Sequence, residues 1–180
     1  MTDRSPQIHT KTSTFTLRID DETFTFLQTE SDSQDITLNA LINKILKRYV
    51  EWDTYEPKID MIPMAKAVIK SLFNLMSEDE ISYLVANFGK NILQDISFFM
   101  KMGLDTDSFL IWFENRMKRS FVEFNSAQEN DQFKCVLKHD MGLNWSIYHK
   151  KILEQIFNNV FNKRIDIEIS EFILTFKFQK

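Results

Sequence analysis

The chain has 180 residues, 43% of them hydrophobic, enough to bury the core of one domain or one and a half. No apolar run approaches the ~20 residues of a membrane span, and the polar N-terminus does not read as a signal peptide. Cys135 is the only cysteine, which excludes a disulfide framework and a cysteine-based zinc cluster. These features lead to the expectation of a cytoplasmic protein with no membrane association.

The net charge of −4 excludes a uniformly basic nucleic-acid binder. Residues 1–58 carry 7 basic and 10 acidic side chains, and the remainder 15 and 16. A basic surplus exists only locally, where Arg4, Lys11 and Arg18 face Asp3 alone upstream of Asp20. Any DNA binding by such a chain depends on local geometry rather than on loose electrostatic attachment.

In chain order, residues 1–12 are polar and read as a flexible arm. Ser13–Ile19 alternates: Phe15, Leu17 and Ile19 point to one side, Thr14, Thr16 and Arg18 to the other. A lone strand satisfies neither its backbone nor its apolar side, so this segment asks for a partner, most simply the same strand of a second chain. A two-stranded ribbon with an outward Thr/Thr/Arg face is a device that reads the DNA major groove. Asp20-Asp21-Glu22 then offers a helix cap and an acidic first turn, with Phe24, Leu27 and Phe26 on the buried face. A β-hairpin turning at Asp20-Asp21 is the rival, because Glu22–Gln28 also alternates, but the turn lacks the glycine that short hairpins favour.

Ser31–Asp35 reads as a turn, and Thr37 as the cap of a second helix with apolar positions Leu38, Leu41, Ile42, Ile45, Leu46, Tyr49 and Val50. That stripe is too wide for one short helix to cover. The excess again points to a dimer, with a core of Phe15, Leu17, Ile19, Leu41, Ile45 and Tyr49.

With these pieces in place, Thr14–Ile19, the Asp-Asp-Glu helix start and Thr37–Leu46 together resemble the ribbon-helix-helix family of Arc/MetJ-type DNA-binding proteins. The resemblance covers under a third of the chain. It implies an obligate homodimer whose paired strands enter the major groove of double-stranded DNA. It would have Thr14, Thr16 and Arg18 facing base edges, and Thr37, Leu38 and Asn39 aimed at a phosphate. A helix N-terminus favours an anion there independently, and Lys11 is a further candidate phosphate contact. The family often carries glycine before the second helix, whereas Ser33-Gln34-Asp35-Ile36 has none. The bland counterpart is a dimerisation module, since Thr and Arg are ordinary on an exposed strand face.

Beyond a short connection at Asp53–Ile59, Pro63 precedes a helix on Ala65, Val68, Ile69, Leu72, Phe73 and Met76. Ser77-Glu78-Asp79-Glu80 is a capping box for the next helix, built on Ile81, Leu84, Val85, Phe88, Ile92, Ile96, Phe99 and Met100. Gly89 marks close helix packing or a bend, and Gly103 a C-terminal cap. A further helix spans about Asp107–Phe121, on Leu110, Phe113 and Met117. Strand-like stretches follow at Phe121–Asn125, Phe133–His139, Ile165–Ser170 and Phe172–Phe178, with Ser126–Gln132 a polar loop. A helix on Trp145, Tyr148, Ile152, Ile156, Phe157, Val160 and Phe161 separates the second strand from the third.

The fold class is therefore α+β: a β-α-α head over 13–53, then an effector or oligomerisation domain over 58–180 whose helices lead into a β-β-α-β-β sheet. Three glycines leave no room for a glycine-rich phosphate loop. Cys135, His139 and His149 carry no metal-ligand spacing, and Cys135 shares a strand face with Phe133 and Leu137 as a small hydrophobe. His139-Asp140 beside Ser146 has the composition of a base–nucleophile pair without a motif to support it. No catalytic residue, metal or cofactor is expected. His139–Ser146 reads first as a structured strand-to-helix turn with Trp145 as anchor, and second as a ligand contact. The 17 phenylalanines read first as core and second as the lining of a pocket for a small apolar effector. The function that gathers most of these features is a homodimeric transcription regulator. An antitoxin-like or scaffolding interaction dimer is the alternative, and an enzyme comes third.

Overall fold

The computed structural model describes residues 12–59, 62–99, 105–129 and 131–179, with 59 and 90–99 described by their backbone alone. The arm expected at 1–12 (Thr12 apart), the phosphate contact expected of Lys11, Met100 and the cap expected at Gly103 lie outside the described residues, as do the side chains of Ile92, Ile96 and Phe99. The chain divides into two compact units, Met1–Arg48 and Tyr49–Lys180.

In the first unit, residues 12–20 are neither helix nor strand. The strand expected at Ser13–Ile19 is thus not formed, because a ladder needs a second strand and none of the described residues pairs with this segment. Helix α1 (Asp21–Ser33) starts where Asp20 accepts hydrogen bonds from the Thr23 N–H and hydroxyl, both at 2.8 Å. The hairpin alternative over Glu22–Gln28 is excluded by this helix. The end of α1 is closed by a Schellman motif: Ile36 N–H donates to Ser31 O and Asp35 N–H to Asp32 O, each at 3.1 Å. Asp35 sits at φ 52°, the left-handed position that glycine usually takes. The missing glycine is therefore replaced by a residue whose short polar side chain tolerates that conformation. Helix α2 (Leu38–Arg48) follows, with the Thr37 hydroxyl accepting from Ala40 N–H at 3.1 Å.

The second unit is α+β. Short helical turns at Tyr49–Asp53 and Glu56–Ile59 precede α3 (Lys66–Leu75), α4 (Glu78–Phe99) and α5 (Thr106–Arg119). Then come β1 (Glu123–Glu129), β2 (Gln132–Lys138), α6 (Leu143–Ile156), β3 (Ile165–Ile169) and β4 (Ile173–Gln179). The sheet is antiparallel with order β1-β2-β4-β3, so the two hairpins lie side by side and α6 carries the chain from β2 to the far edge at β3. The expected capping box is made: Glu80 accepts from the Ser77 N–H at 2.7 Å, and Ser77 Oγ accepts from Glu80 N–H at 3.3 Å. Gly89 is buried against α6, where a Cβ would collide with the Gln155 amide, so it marks close packing rather than a bend.

One sheet face is apolar and covered, the other charged. Cross-strand rows Ile165–Phe178–Phe133, Ile167–Phe176–Cys135 and Ile169–Leu174–Leu137–Phe124 make the inner face. Against it pack Phe109, Phe113 and Met117 of α5 and Leu153, Ile156 and Phe157 at the end of α6. Phe113 meets Phe124 and Phe176 edge-on at 5.7 and 5.8 Å, the favoured geometry for aromatic pairs. Phe109, Phe113, Phe124, Phe157, Phe176 and Phe178 fill this core, whereas Phe15, Phe24, Phe26, Phe88, Phe121 and Phe172 are exposed. On the outer face Asp166 stands opposite Lys177, and Glu123 pairs with Lys138 at 3.1 Å, opposite charges where like charges would repel.

Two details of the strands differ from expectation. Phe121 is not in a strand: it adopts φ 54°, is 85% exposed, and occupies the left-handed position of a second Schellman motif that closes α5 through Val122 N–H to Met117 O at 3.0 Å. The inward residues are instead Val122 and Phe124. The polar stretch expected as a loop, Ser126–Gln132, is largely strand, because β2 offers its entire edge and the ladder holds from Glu123–Lys138 to Glu129–Gln132 whatever the side chains.

The segment after α2 is more than a connection. Trp52 is buried, its indole N–H donates to Glu56, and Arg119 at the end of α5 binds Asp53 and, at 3.2 Å, Glu56. The Arg119 guanidinium also lies 5.7 Å from the centre of the Trp52 ring. This clamp ties Trp52, Asp53 and Glu56 to α5, within the compact unit that begins at Tyr49.

These packing differences lead to a paired expectation. Phe176→Ala, at a fully buried position, should destabilise the protein by about 3–5 kcal/mol. Phe121→Gly should be neutral or stabilising by about 1 kcal/mol, since it relieves a left-handed aromatic. Urea unfolding of both variants checks the register: a large loss at Phe121 would show that this ring is part of the core.

Candidate functional site

The first unit has almost no core of its own. Of its described residues only Ser31 and Leu41 are buried. Leu41 is 4% exposed and Ile45 half-buried, whereas Leu46, Tyr49 and Val50, which continue the same stripe, are exposed. In the segment before α1, Phe15 is 63% and Leu17 55% exposed, with Ile19 half-buried. Phe24 and Phe26 are exposed as well. Thr14, Thr16 and Arg18 alternate with these apolar residues and are themselves exposed. Apolar and polar residues of this segment are thus alike uncovered, with Arg18 its one permanent positive charge.

Thr37, Leu38 and Asn39 form the first turn of α2. The Thr37 hydroxyl is occupied in capping, and the Asn39 carbonyl accepts from the Asn43 amide at 2.8 Å. Beside this turn lies an open hollow of about 560 Å³ lined by Gln28, Asp32, Asp35, Ile36, Thr37 and Leu38. Two carboxylates at its rim offset the positive end of the helix dipole. Between residues 12 and 48 the cations are Arg18, Lys44, Lys47 and Arg48, and the anions Asp20, Asp21, Glu22, Glu30, Asp32 and Asp35. Attraction to a polyanion at this head must therefore be local.

The second unit contains a buried polar chain at the turn between β2 and α6. The Met141 N–H donates to His139 Nδ1 at 3.3 Å, His139 Nε2 lies 2.9 Å from Ser146 Oγ, and the Ser146 hydroxyl donates to Ser170 O at 2.8 Å. These contacts fix the tautomer. With Nδ1 accepting, Nε2 carries the proton and donates to Ser146, whose own proton goes to Ser170. His139 has no lone pair facing Ser146, so it cannot act as its base. Asp140, the third member of the composition noted above, points to Lys66 instead, which holds its carboxyl below the usual range. The chain is a latch that joins the β2–α6 turn, the start of α6 and the β3–β4 turn, to which the His139 N–H adds a bond to Phe172 O at 2.9 Å.

Around that latch the turn is tightly specified. Gly142 has φ 90°, and a Cβ there would come within 2.8 Å of Asn74 Oδ1. The Asn144 amide donates to Phe73 O and Met76 O at 2.9 and 2.7 Å, satisfying carbonyls at the end of α3. Trp145 lies between two imidazoles, its ring centre 4.4 Å from that of His139 and 3.7 Å from that of His149. The His149 Nδ1–H donates to Trp145 O at 3.0 Å. Burial pushes His149 down to about 3, and pushes His139 down as well. Burial likewise raises the Cys135 thiol to about 12, so it stays neutral and is a poor metal ligand. Among the described residues no group of three or more His, Cys, Asp or Glu side chains is placed to hold a metal ion.

No protein-family model matches the chain, and no curated protein matches it. No described helix is long and apolar enough to cross a membrane.

The neutral, buried His149 sets a pH dependence. Below 6.5, the ordinary histidine value, the unfolded chain takes up a proton that the folded chain refuses until about pH 3. Stability should therefore fall as pH drops through this window, by up to about 1.4 kcal/mol per pH unit for this one group. His139 acts in the same direction. The decline begins above the range in which Asp105, Asp140 and Glu80, all held low by hydrogen bonds, take up protons. Urea midpoints from pH 7 to 4.5 should flatten by about one proton in His149→Phe, which keeps a ring against Trp145. An unchanged slope would mean that His149 is protonated in the folded protein.

Proposed function

We propose that this chain is a homodimeric, sequence-specific DNA-binding regulator of the ribbon-helix-helix type. In it, Ser13–Ile19 pairs with its counterpart from a second copy and the paired strands enter the major groove. The observation that carries this reading is the segment before α1, whose apolar Phe15 and Leu17 are uncovered, while Leu46 of α2 and Tyr49 and Val50 just after it are exposed as well. Such a segment reaches a stable state by pairing, and antiparallel pairing of two copies puts Phe15, Leu17 and Ile19 over the two α2 helices. Thr14, Thr16 and Arg18 then lie on the opposite side of the ribbon. The Schellman turn with Asp35 supplies the tight α1–α2 connection that the family resemblance calls for, without a glycine.

Arg18 is the outward side chain able to make a bidentate pair with guanine, with Thr14 and Thr16 as flanking contacts. The first turn of α2, Thr37 to Asn39, is the candidate phosphate contact, and it positions rather than specifies. The second unit serves as the effector or oligomerisation domain, in the cytoplasm. A second reading, an antitoxin-like or scaffolding dimer with little DNA binding, is favoured by one feature, the acidic balance of the head and the carboxylates of Asp32 and Asp35 beside α2.

The two readings separate in one experiment. Duplexes selected from a random pool are titrated against the wild type and Arg18→Ala, beside a scrambled duplex. On the first reading the wild type discriminates, and Arg18→Ala loses about 1–3 kcal/mol of that discrimination. Equal discrimination by both proteins would mean that the ribbon does not read bases. Failure of either protein to bind any duplex would favour the interaction dimer.

A further inference from the structure

We propose that the outer face of α3 is an interface with α3 of a second copy of this chain. The apolar arc of this helix is about twice as wide as its contact with the rest of the unit. Its inner half, Ile69 and Phe73, packs on the core, with Phe73 5.2 Å from the Tyr148 ring of α6. Its outer half carries Val68, Leu72 and Leu75, which are 48%, 50% and 83% exposed. With Ala65 these residues follow a 3-4-3 spacing, the seam of a helix pair rather than a scatter of surface leucines.

The seam is presented by a rigid element. The turn before α6 holds α3 near both ends: Lys66 pairs with Asp140, and Asn144 binds the carbonyls of Phe73 and Met76. Little further ordering is then needed to dock on the seam, which keeps the entropic cost of association low.

Charge and area indicate what covers it. The positions flanking the seam are Ile69 and Ser71, so two copies meet without like charges in register. Lys70 lies on the far side of the helix from Leu72, and Lys66 is directed to Asp140. A partner recognised by charge would find nothing to pair with, whereas an identical aliphatic seam is self-complementary about a two-fold axis. Antiparallel pairing centred on Leu72 sets Val68 of each copy against Leu75 of the other. A seam of Val68, Leu72 and Leu75 is small, below the ~1,000 Å² that a stable interface buries on its own. A head dimer holding the two copies at an effective concentration in the millimolar range would bring such a contact to high occupancy. In that respect the inference rests on the dimer proposed above.

The test is a disulfide at the two-fold in the full-length protein. Leu72→Cys is exposed to copper-phenanthroline and air beside Ile111→Cys and Leu143→Cys, whose positions are 64% and 47% exposed but lie off the seam. The native Cys135 is fully buried and stays reduced in the folded protein. The expected result is a covalent dimer from Leu72→Cys at least ten times faster than from either control. Equal rates would overturn the interface. So would a thiol in Leu72→Cys that neither cross-links nor reacts with a small maleimide, since another part of the chain would then cover α3. Sedimentation of the wild type and Leu41→Asp keeps the two dimer claims apart. A dimer that dissociates in Leu41→Asp but gives no cross-link at position 72 retains the head and loses the α3 contact. Cross-linking without duplex binding retains the α3 contact and loses the DNA reading. A wild-type monomer with no cross-link overturns both.

Discussion

A strand cannot exist alone, and that constraint organises the N-terminal unit. Its backbone N–H and C=O groups are satisfied in pairs by a neighbour, and its alternating apolar side chains stay in water until something covers them. Thr12 to Asp20 has no ladder partner among the described residues. The two helices that follow leave Phe15, Leu17, Phe24 and Leu46 exposed and bury only Leu41 among their apolar side chains. A unit of this size has little interior, since small domains bury the smallest fraction of their surface. Pairing two copies answers the strand and the uncovered stripe together. In the proposed dimer, Thr14, Thr16 and Arg18 would stand on the far side of the ribbon.

In the second unit the sheet, by contrast, has its apolar face covered by the same chain. Two hairpins lie side by side, α5 and α6 cover the inner face, and the outer face carries Asp166 opposite Lys177 and Glu123 paired with Lys138. The polar chain Met141–His139–Ser146–Ser170 lies at the end of this sheet, where three connections meet, and each internal member has a partner. Its hydrogens run from imidazole to hydroxyl to carbonyl, a direction that fixes structure and does not activate the serine. Leaving one member without its partner would strand a buried polar group, which is how such a chain specifies a single arrangement of turns.

Much of this was legible in the sequence. Period-2 alternation located β2, β3 and β4, and the capping signals of Asp20, Thr37 and Ser77 gave helix starts at Asp21, Leu38 and Glu78. What escaped was decided by backbone geometry or by distant residues. With three glycines in the chain, left-handed positions at helix ends fall to Asp35, Phe121 and Asn162, and no local pattern marks a phenylalanine for that role. Ser126 to Glu129 became strand because β2 offered a ladder, a tertiary effect that side-chain propensity does not carry. The clamp of Arg119 on Asp53 and Glu56 joins residues more than sixty apart. The direction of the His139–Ser146 bond depends on Ser170 and Met141, so the three residue types alone, which also make up catalytic pairs, could not distinguish a latch from a base. In the head, the helix starts were readable, whereas the strand expected at Ser13–Ile19 depends on a pairing partner that local pattern does not supply.

The central claim is that Ser13–Ile19 is a strand whose partner is another copy, and residue-resolved amide hydrogen exchange tests it most directly. Antiparallel pairing engages every second residue of each strand in the ladder between them and leaves the others facing water. At high protein concentration, alternate amides between Ser13 and Ile19 should therefore exchange slowly, and this protection should fade on dilution while that of Cys135 and Phe176 in the central strands persists. Uniformly fast exchange from Ser13 to Ile19 at every concentration would contradict the account, because it would show that the segment has no partner.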